Sequence, residues 1–120
     1  MGGYNVITIL FLVNSFKDIA DSYGRINKTV DLYKRQVEAM LNSNMINVCD
    51  RDIVYELLGI VNTNNIKWTI ADNKVNQFLY ALSMIGDNVD NVYANSIVNK
   101  LISTNSISDS VANIVKRIYK

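Results

Sequence analysis

The stretch that decides the fold runs from Ile9 to Met40: ILFLVNSFKDIADSYGRINKTVDLYKRQVEAM. Its apolar residues Ile9, Leu12, Phe16, Ile19, Tyr23, Ile26, Val30, Tyr33, Val37 and Met40 are spaced alternately by three and four. That is a heptad seam with every a and d site filled, a helix period and not a strand period. A single helix carrying it would be about 48 Å long at 1.5 Å per residue. Gly24 lies inside the run, costs about 1 kcal/mol against Ala and is the place for a bend. Asn42, Ser43, Asn44 and Asn47 end the pattern.

Downstream the sequence predicts shorter helices. One begins near Asp50 as N-cap, with Asp52 in its first turn and Ile53, Val54, Leu57, Leu58 and Val61 as its apolar set. Asn62 to Asn65 reads as a loop, and Ile66 to Ile70 as loop running into a helix capped by Thr69 or Asp72. Val75, Phe78, Leu82, Ile85, Val89 and Val92 continue at helical spacing. Gly86-Asp87-Asn88 either ends that helix and caps the next or sits within one helix. A last helix has Ser106 and Asp109 at capping-box spacing, and Ile107, Val111, Ile114, Val115 and Ile118 as its stripe. Lys116, Arg117 and Lys120 follow where the helix dipole favours cations. No window calls for a sheet, and no internal repeat or linker is evident. The expected fold is all-α: a long N-terminal heptad helix followed by three or four shorter helices, as a hairpin or bundle. The chain reads as a single helical domain over residues 1–120, with an apolar head (1–16), the heptad helix (17–45) and the shorter helices (50–120).

Composition narrows the chemistry. Of the 120 residues 49% are apolar and 19% charged, which is a globular balance. The net charge of +1 gives no clustered basic surface of the kind a DNA grip needs. Lys34-Arg35 and Lys116-Arg117 are the basic doublets, so nucleic acid is expected only in passage or weak contact. There is no histidine and no proline, and Cys49 is the single cysteine. A proton-transfer centre near neutral pH, a zinc site and an intrachain disulfide therefore have no material. Asp18 with Asp21, and Asp87 with Asp90, read as solvated acids on helix faces. Asp87-Asn88-Val89-Asp90-Asn91 lacks the glycine and terminal Glu of a calcium loop. Trp68 reads as a core anchor. No catalytic, cofactor or metal residues are assigned, and a non-enzymatic chain is expected. The 17 Asn, 15 Ile, 8 Lys and 7 Tyr have A/T-rich codons and point to an AT-rich genome such as that of a phage, another virus or a low-GC bacterium.

The apolar head is the second feature. Val6, Ile7, Ile9, Leu10, Phe11, Leu12 and Val13 form a run too short to span a bilayer, which takes about 20 residues. Early positive charge and a small-residue cleavage site, the marks of a secretory signal, are missing. The Met1-Gly2 start is a poor myristoylation match because Val6 stands where Ser or Thr belongs. The head is expected either to be the buried end of the long helix or to insert into lipid or an oligomer.

Lys34-Arg35-Gln36, Ala39-Met40, Asn44, Asp50, Lys74-Val75 and Ile85-Gly86 occur in an order that resembles the small internal core (ejection) proteins of T7-like short-tailed phages. The resemblance touches roughly residues 5 to 98 with about one gap; family members are longer and richer in Ala, Gln and Gly. It implies an internal virion protein expelled ahead of the genome, which then helps form a DNA-conducting channel in the host envelope. Its partners would be copies of itself, other virion proteins and the host membrane, with no small-molecule substrate. On this reading the ten seam residues serve partner packing and the apolar head meets the membrane. The other reading is a soluble viral helical-bundle adaptor in the host cytoplasm, holding a partner helix in a groove.

Overall fold

The computed structural model describes residues 3–61, 66–87 and 90–120. Six helices account for its regular structure: α1 (Val6–Tyr23), α2 (Asn27–Asn42), α3 (Val48–Leu58), α4 (Trp68–Ile85), α5 (Asn91–Ser103) and α6 (Asp109–Ile118). Among the described residues there is no strand, so the chain is all-α.

The long helix expected from the heptad seam is two helices. α1 stops after 18 residues at Gly24, whose φ of 92° and ψ of 172° are open to glycine and strained for other residues. Open space surrounds the position of a Cβ there, so the backbone and not crowding selects glycine. Thr29, buried, donates its hydroxyl to the Gly24 carbonyl and its N–H to the Ile26 carbonyl. The break is thus held by specific bonds, which is why the seam's even spacing does not carry the helix through.

Other ends also fall elsewhere than expected. α3 is capped by Asn47, whose side chain accepts from the Asp50 N–H at 2.9 Å; Asp50 lies inside the first turn and is buried. α4 starts at Trp68, ahead of Thr69 and Asp72. Gly86, at φ 70°, ends α4, and Asp90 caps α5 by accepting from the Val92 N–H, so Gly86 separates two helices. α6 is capped by Ser108, which accepts from Val111, and not by Ser106. The expected loop at 62–65, the myristoylation position Gly2, and Asn88 and Val89 lie outside the described residues.

The chain divides into two compact units, Met1–Ala71 and Asp72–Lys120. In the first, α1 packs on α2 and α3. Ile9, Leu12, Val13, Phe16 and Ala20 of α1 are buried with Val30, Tyr33 and Val37 of α2 and Ile53, Val54, Leu57 and Leu58 of α3. Each large aliphatic chain removed from water here contributes about 1.5–3 kcal/mol. The Phe16 ring meets Tyr33 edge-on at 5.0 Å and stacks on Trp68 at 5.4 Å, so Trp68 is the core anchor its type suggested. The Tyr33 hydroxyl donates to the Leu12 carbonyl at 2.7 Å, which satisfies a polar group buried with the core.

In the second unit α5 packs on α6. Val75, Phe78, Ala81, Leu82 and Ile85 of α4 are buried, as are Ala94, Val98 and Leu101 of α5 and Val111, Ala112, Ile114 and Val115 of α6. Gln77 accepts the Ser108 N–H at 2.8 Å and so ties α4 to the start of α6.

Candidate interaction surface

The seam residues separate into three groups. Ile9, Leu12, Phe16, Val30, Tyr33 and Val37 are buried within the fold. Ile19 and Met40 are half-buried. Tyr23 and Ile26, on either side of the Gly24 break, are 63% and 52% exposed. Folding α1 back on α2 closes most of the seam on itself and leaves its middle open.

The apolar head is also two-sided. Ile9, Leu12 and Val13 face inward, and Val6 and Leu10 are half-buried. Ile7 is 79% and Phe11 54% exposed, and Tyr4 just precedes the helix on the same spacing of three and four. At about 100° per residue this second stripe lies opposite the buried one. An apolar stripe left in water by an otherwise satisfied helix marks a contact surface. The sequence carried this signal in the off-phase positions 4, 7 and 11, which a count of the seam alone passes over. Among the described residues no helix is long and apolar enough to cross a membrane.

The start of α1 is fixed by polar bonds. Asn5 accepts from the Thr8 N–H as N-cap, and its own N–H donates to the buried Asp50 carboxylate at 2.9 Å. Burial raises the Asp50 pKa, with the Asn5 bond pulling the other way. Val48, the half-exposed first residue of α3, stands next to this tie. The role of Asp50 was not legible as such: its spacing suits a cap, and its burial depends on where α1 begins.

Open grooves lie among the described residues. One, of about 490 Å³, is formed by Ile19, Tyr23, Leu32, Arg35 and Gln36. A second, of about 410 Å³, lies along α3 with Asp52, Tyr55, Glu56, Ile60 and Val61. A third, of about 530 Å³, lies along α6 and α5 with Asn95, Asn113, Lys116, Arg117 and Lys120. Beside the α3 groove, Arg51 bridges Asp52 at 3.0 Å and Glu38 at 3.1 Å. Burial alone would lower the Arg51 pKa, but these two carboxylates outweigh it and raise it. The buried Tyr55 hydroxyl has no hydrogen-bond partner among the described residues. Burial, then the Glu38 carboxylate, push its pKa up to about 12. The Tyr33 hydroxyl lies far above its ordinary value because it is buried and beside Tyr55.

Asp18 and Asp21 are exposed, with Asp21 paired to Arg25 at 3.7 Å; Asp90 is spent on capping α5. Among the described residues no three His, Cys, Asp or Glu side chains gather as a metal site, and Cys49 is half-buried. Comparisons with protein-family models, with curated proteins and with solved structures returned no match to this chain.

Proposed function

We propose that this chain is a non-enzymatic structural protein of a phage virion, of the internal ejection type, which assembles with copies of itself and with other virion proteins. The observation that carries the assembly reading is the exposed stripe Tyr4, Ile7 and Phe11 on a helix whose other side is already filled. Such a stripe stabilises a complex by burial and contributes nothing to the isolated fold. The phage setting rests on the order of Lys34-Arg35-Gln36, Ala39-Met40, Lys74-Val75 and Ile85-Gly86. In the host envelope, α1 would lie in the lipid interface with this stripe down, as an amphipathic helix does, with copies together lining the conduit for the genome.

The test uses the whole chain with Ile7→Ser and Phe11→Ser together. At about 0.5 M salt, where exposed charge pairs are screened, the parent protein is expected to form oligomers in light scattering, and at lower ionic strength to sediment with anionic liposomes; the variant is expected to lose both while keeping its melting curve. A parent protein that stays monomeric and ignores liposomes sinks the proposal.

The groove of Ile19, Tyr23, Leu32, Arg35 and Gln36 favours the second reading, a soluble viral adaptor. An apolar floor with a polar rim suits a partner's amphipathic helix. A stable, compact monomer in solution would select that reading.

A further inference from the structure

The helix series α1–α3 and α4–α6 share several local features, although α1 packs on α2 and α3 in the one while α5 packs on α6 in the other. α1 and α4 are each 18 residues long. Each ends on a glycine at positive φ, and the glycine's N–H returns to the fourth carbonyl back, Gly24 to Ala20 and Gly86 to Leu82. Shifted by 62 positions (Gly24 to Gly86), the buried Val13, Phe16 and Ala20 fall on the buried Val75, Phe78 and Leu82. The same shift lays Val13-Asn14-Ser15-Phe16 on Val75-Asn76-Gln77-Phe78.

The later turns agree as closely. α2 ends with Asn44 at φ 60° and α5 with Asn105 at φ 58°. In both the next N–H reaches back to the helix, Met45 to Met40 and Ser106 to Leu101, and the asparagine N–H bonds Leu41 or Ile102. This is the same Schellman closure at both ends, and α3 closes the same way through Gly59 and Ile60. Each turn then buries an isoleucine, Ile46 or Ile107, and caps the next helix with a side-chain oxygen, from Asn47 or Ser108. At this shift of 61 positions (Asn44 to Asn105), Ile53-Val54 falls on Ile114-Val115, all four buried. Unrelated helical segments have no physical reason to share helix length, closing residue, turn bonding, cap and core position together.

We propose that the chain is a tandem copy of one three-helix module, and that the α3 face of one molecule docks on the α6 face of a second copy. The correspondence places Asp52, Tyr55 and Glu56 on Asn113, Lys116 and Arg117, so the two faces occupy the same site of the module. Both line open grooves, acidic in the first copy and basic, with Lys120, in the second. The shared core shows that the module folds with either sign there, so the sign serves something outside the module. The whole chain carries only +1, and residues 1–71 (seven acids, seven bases) and 72–120 (four acids, five bases) are each close to neutral, so the opposite signs are local to the two grooves. A second molecule of the same chain is a partner of matching charge for each groove. The contact joins two different faces and is heterologous, so it propagates into a ring or a filament. Each exposed pair is worth at most about 1 kcal/mol, so the association is weak, cumulative and salt-sensitive. It does not use Ile7 or Phe11 and stands or falls apart from the docking of α1.

Sedimentation velocity of the full chain tests it. At low ionic strength the mean sedimentation coefficient is expected to rise with concentration. At about 0.5 M salt, where the screening length is roughly 4 Å, it should return to the monomer value. Asp52→Lys with Glu56→Lys, or Lys116→Glu with Lys120→Glu, should each weaken association about tenfold or more. All four changes in one chain, or a mixture of the two double variants, should restore it, with circular dichroism melting showing that each variant folds. Association indifferent to these reversals, or not restored by combining them, overturns the proposal. So does a parent chain that remains monomeric at low salt while Lys116→Glu with Lys120→Glu abolishes binding of a single-stranded oligonucleotide, which would assign the basic face to a polyanion.

Discussion

The first and second units solve the same packing problem with different chemistry at corresponding places. Where the first buries Tyr33 and ties its hydroxyl to Leu12, the second has Ala94; where the first buries Asp50 against Asn5, the second has Val111. α1 also leaves Ile7 and Phe11 in water where α4 carries Thr69 and Asn73 at the matching positions. The apolar residues at the helix crossings recur in both and hold the fold. The Tyr33 and Asp50 ties and the Ile7–Phe11 pair have no counterpart at the matching positions of the second, which has its own tie from Gln77 to Ser108 and exposes Tyr80, Met84 and Val92 instead. A buried ionised group lowers stability unless well bonded, and an exposed phenylalanine gains nothing in an isolated molecule.

The comparison can be broken most severely at its centre. Phe16→Ala and Phe78→Ala should each cost about 3–5 kcal/mol, read from chemical denaturation midpoints. If one is nearly silent, the two phenylalanines do not hold equivalent cores. Tyr33→Phe should cost about 0.5–1.5 kcal/mol by removing the buried hydroxyl's bond to the Leu12 carbonyl. A fully stable Tyr33→Phe protein would mean that this tie is ornamental.

Asp50 gives a smaller effect with a definite sign. Its folded pKa is raised, so the folded state holds the proton more tightly than the unfolded one. As pH rises from the unfolded value of 3.8 through the raised folded value, this group therefore takes stability away. Asp50→Asn keeps an oxygen for the Asn5 N–H and removes the charge. The variant should melt higher than the parent at neutral pH, and the difference should fade in acid. The opposite trend would place a compensating cation beside the carboxylate. Smallest of all, Asn44→Gly and Asn105→Gly relieve left-handed backbone and should each stabilise by about 0.5–1 kcal/mol, by equal amounts in the two turns.

Helix content and the inward faces were legible because periodicity encodes them locally: the buried positions from Val75 to Ile85 and from Val111 to Val115 sit where the stripes put them. The break at Gly24 was legible only as a bend, since the bond from Thr29 that holds it spans five residues and leaves the apolar spacing undisturbed. The caps at Asn47 and Ser108 lost to better-spaced neighbours because a side chain caps only where the incoming backbone is extended, which composition does not announce. The repeat was hidden for another reason. The copies share few identities, their shift changes by one residue between Gly86 and Asn105, and the likeness lies mainly in backbone closure. Of the candidate surface, the seam was conspicuous yet is mostly consumed internally, while the stripe at Tyr4, Ile7 and Phe11 required knowing which side of α1 was already covered.

Trp68 is the one tryptophan of the chain, and within the first unit it stacks its ring on Phe16. Its emission is therefore a local optical reporter built into the molecule. Fluorescence follows the Phe16 neighbourhood, whereas far-ultraviolet dichroism sums over all six helices. Coincident melting curves from the two signals would describe a single cooperative transition, and separated curves would time the loss of one unit against the other without any label.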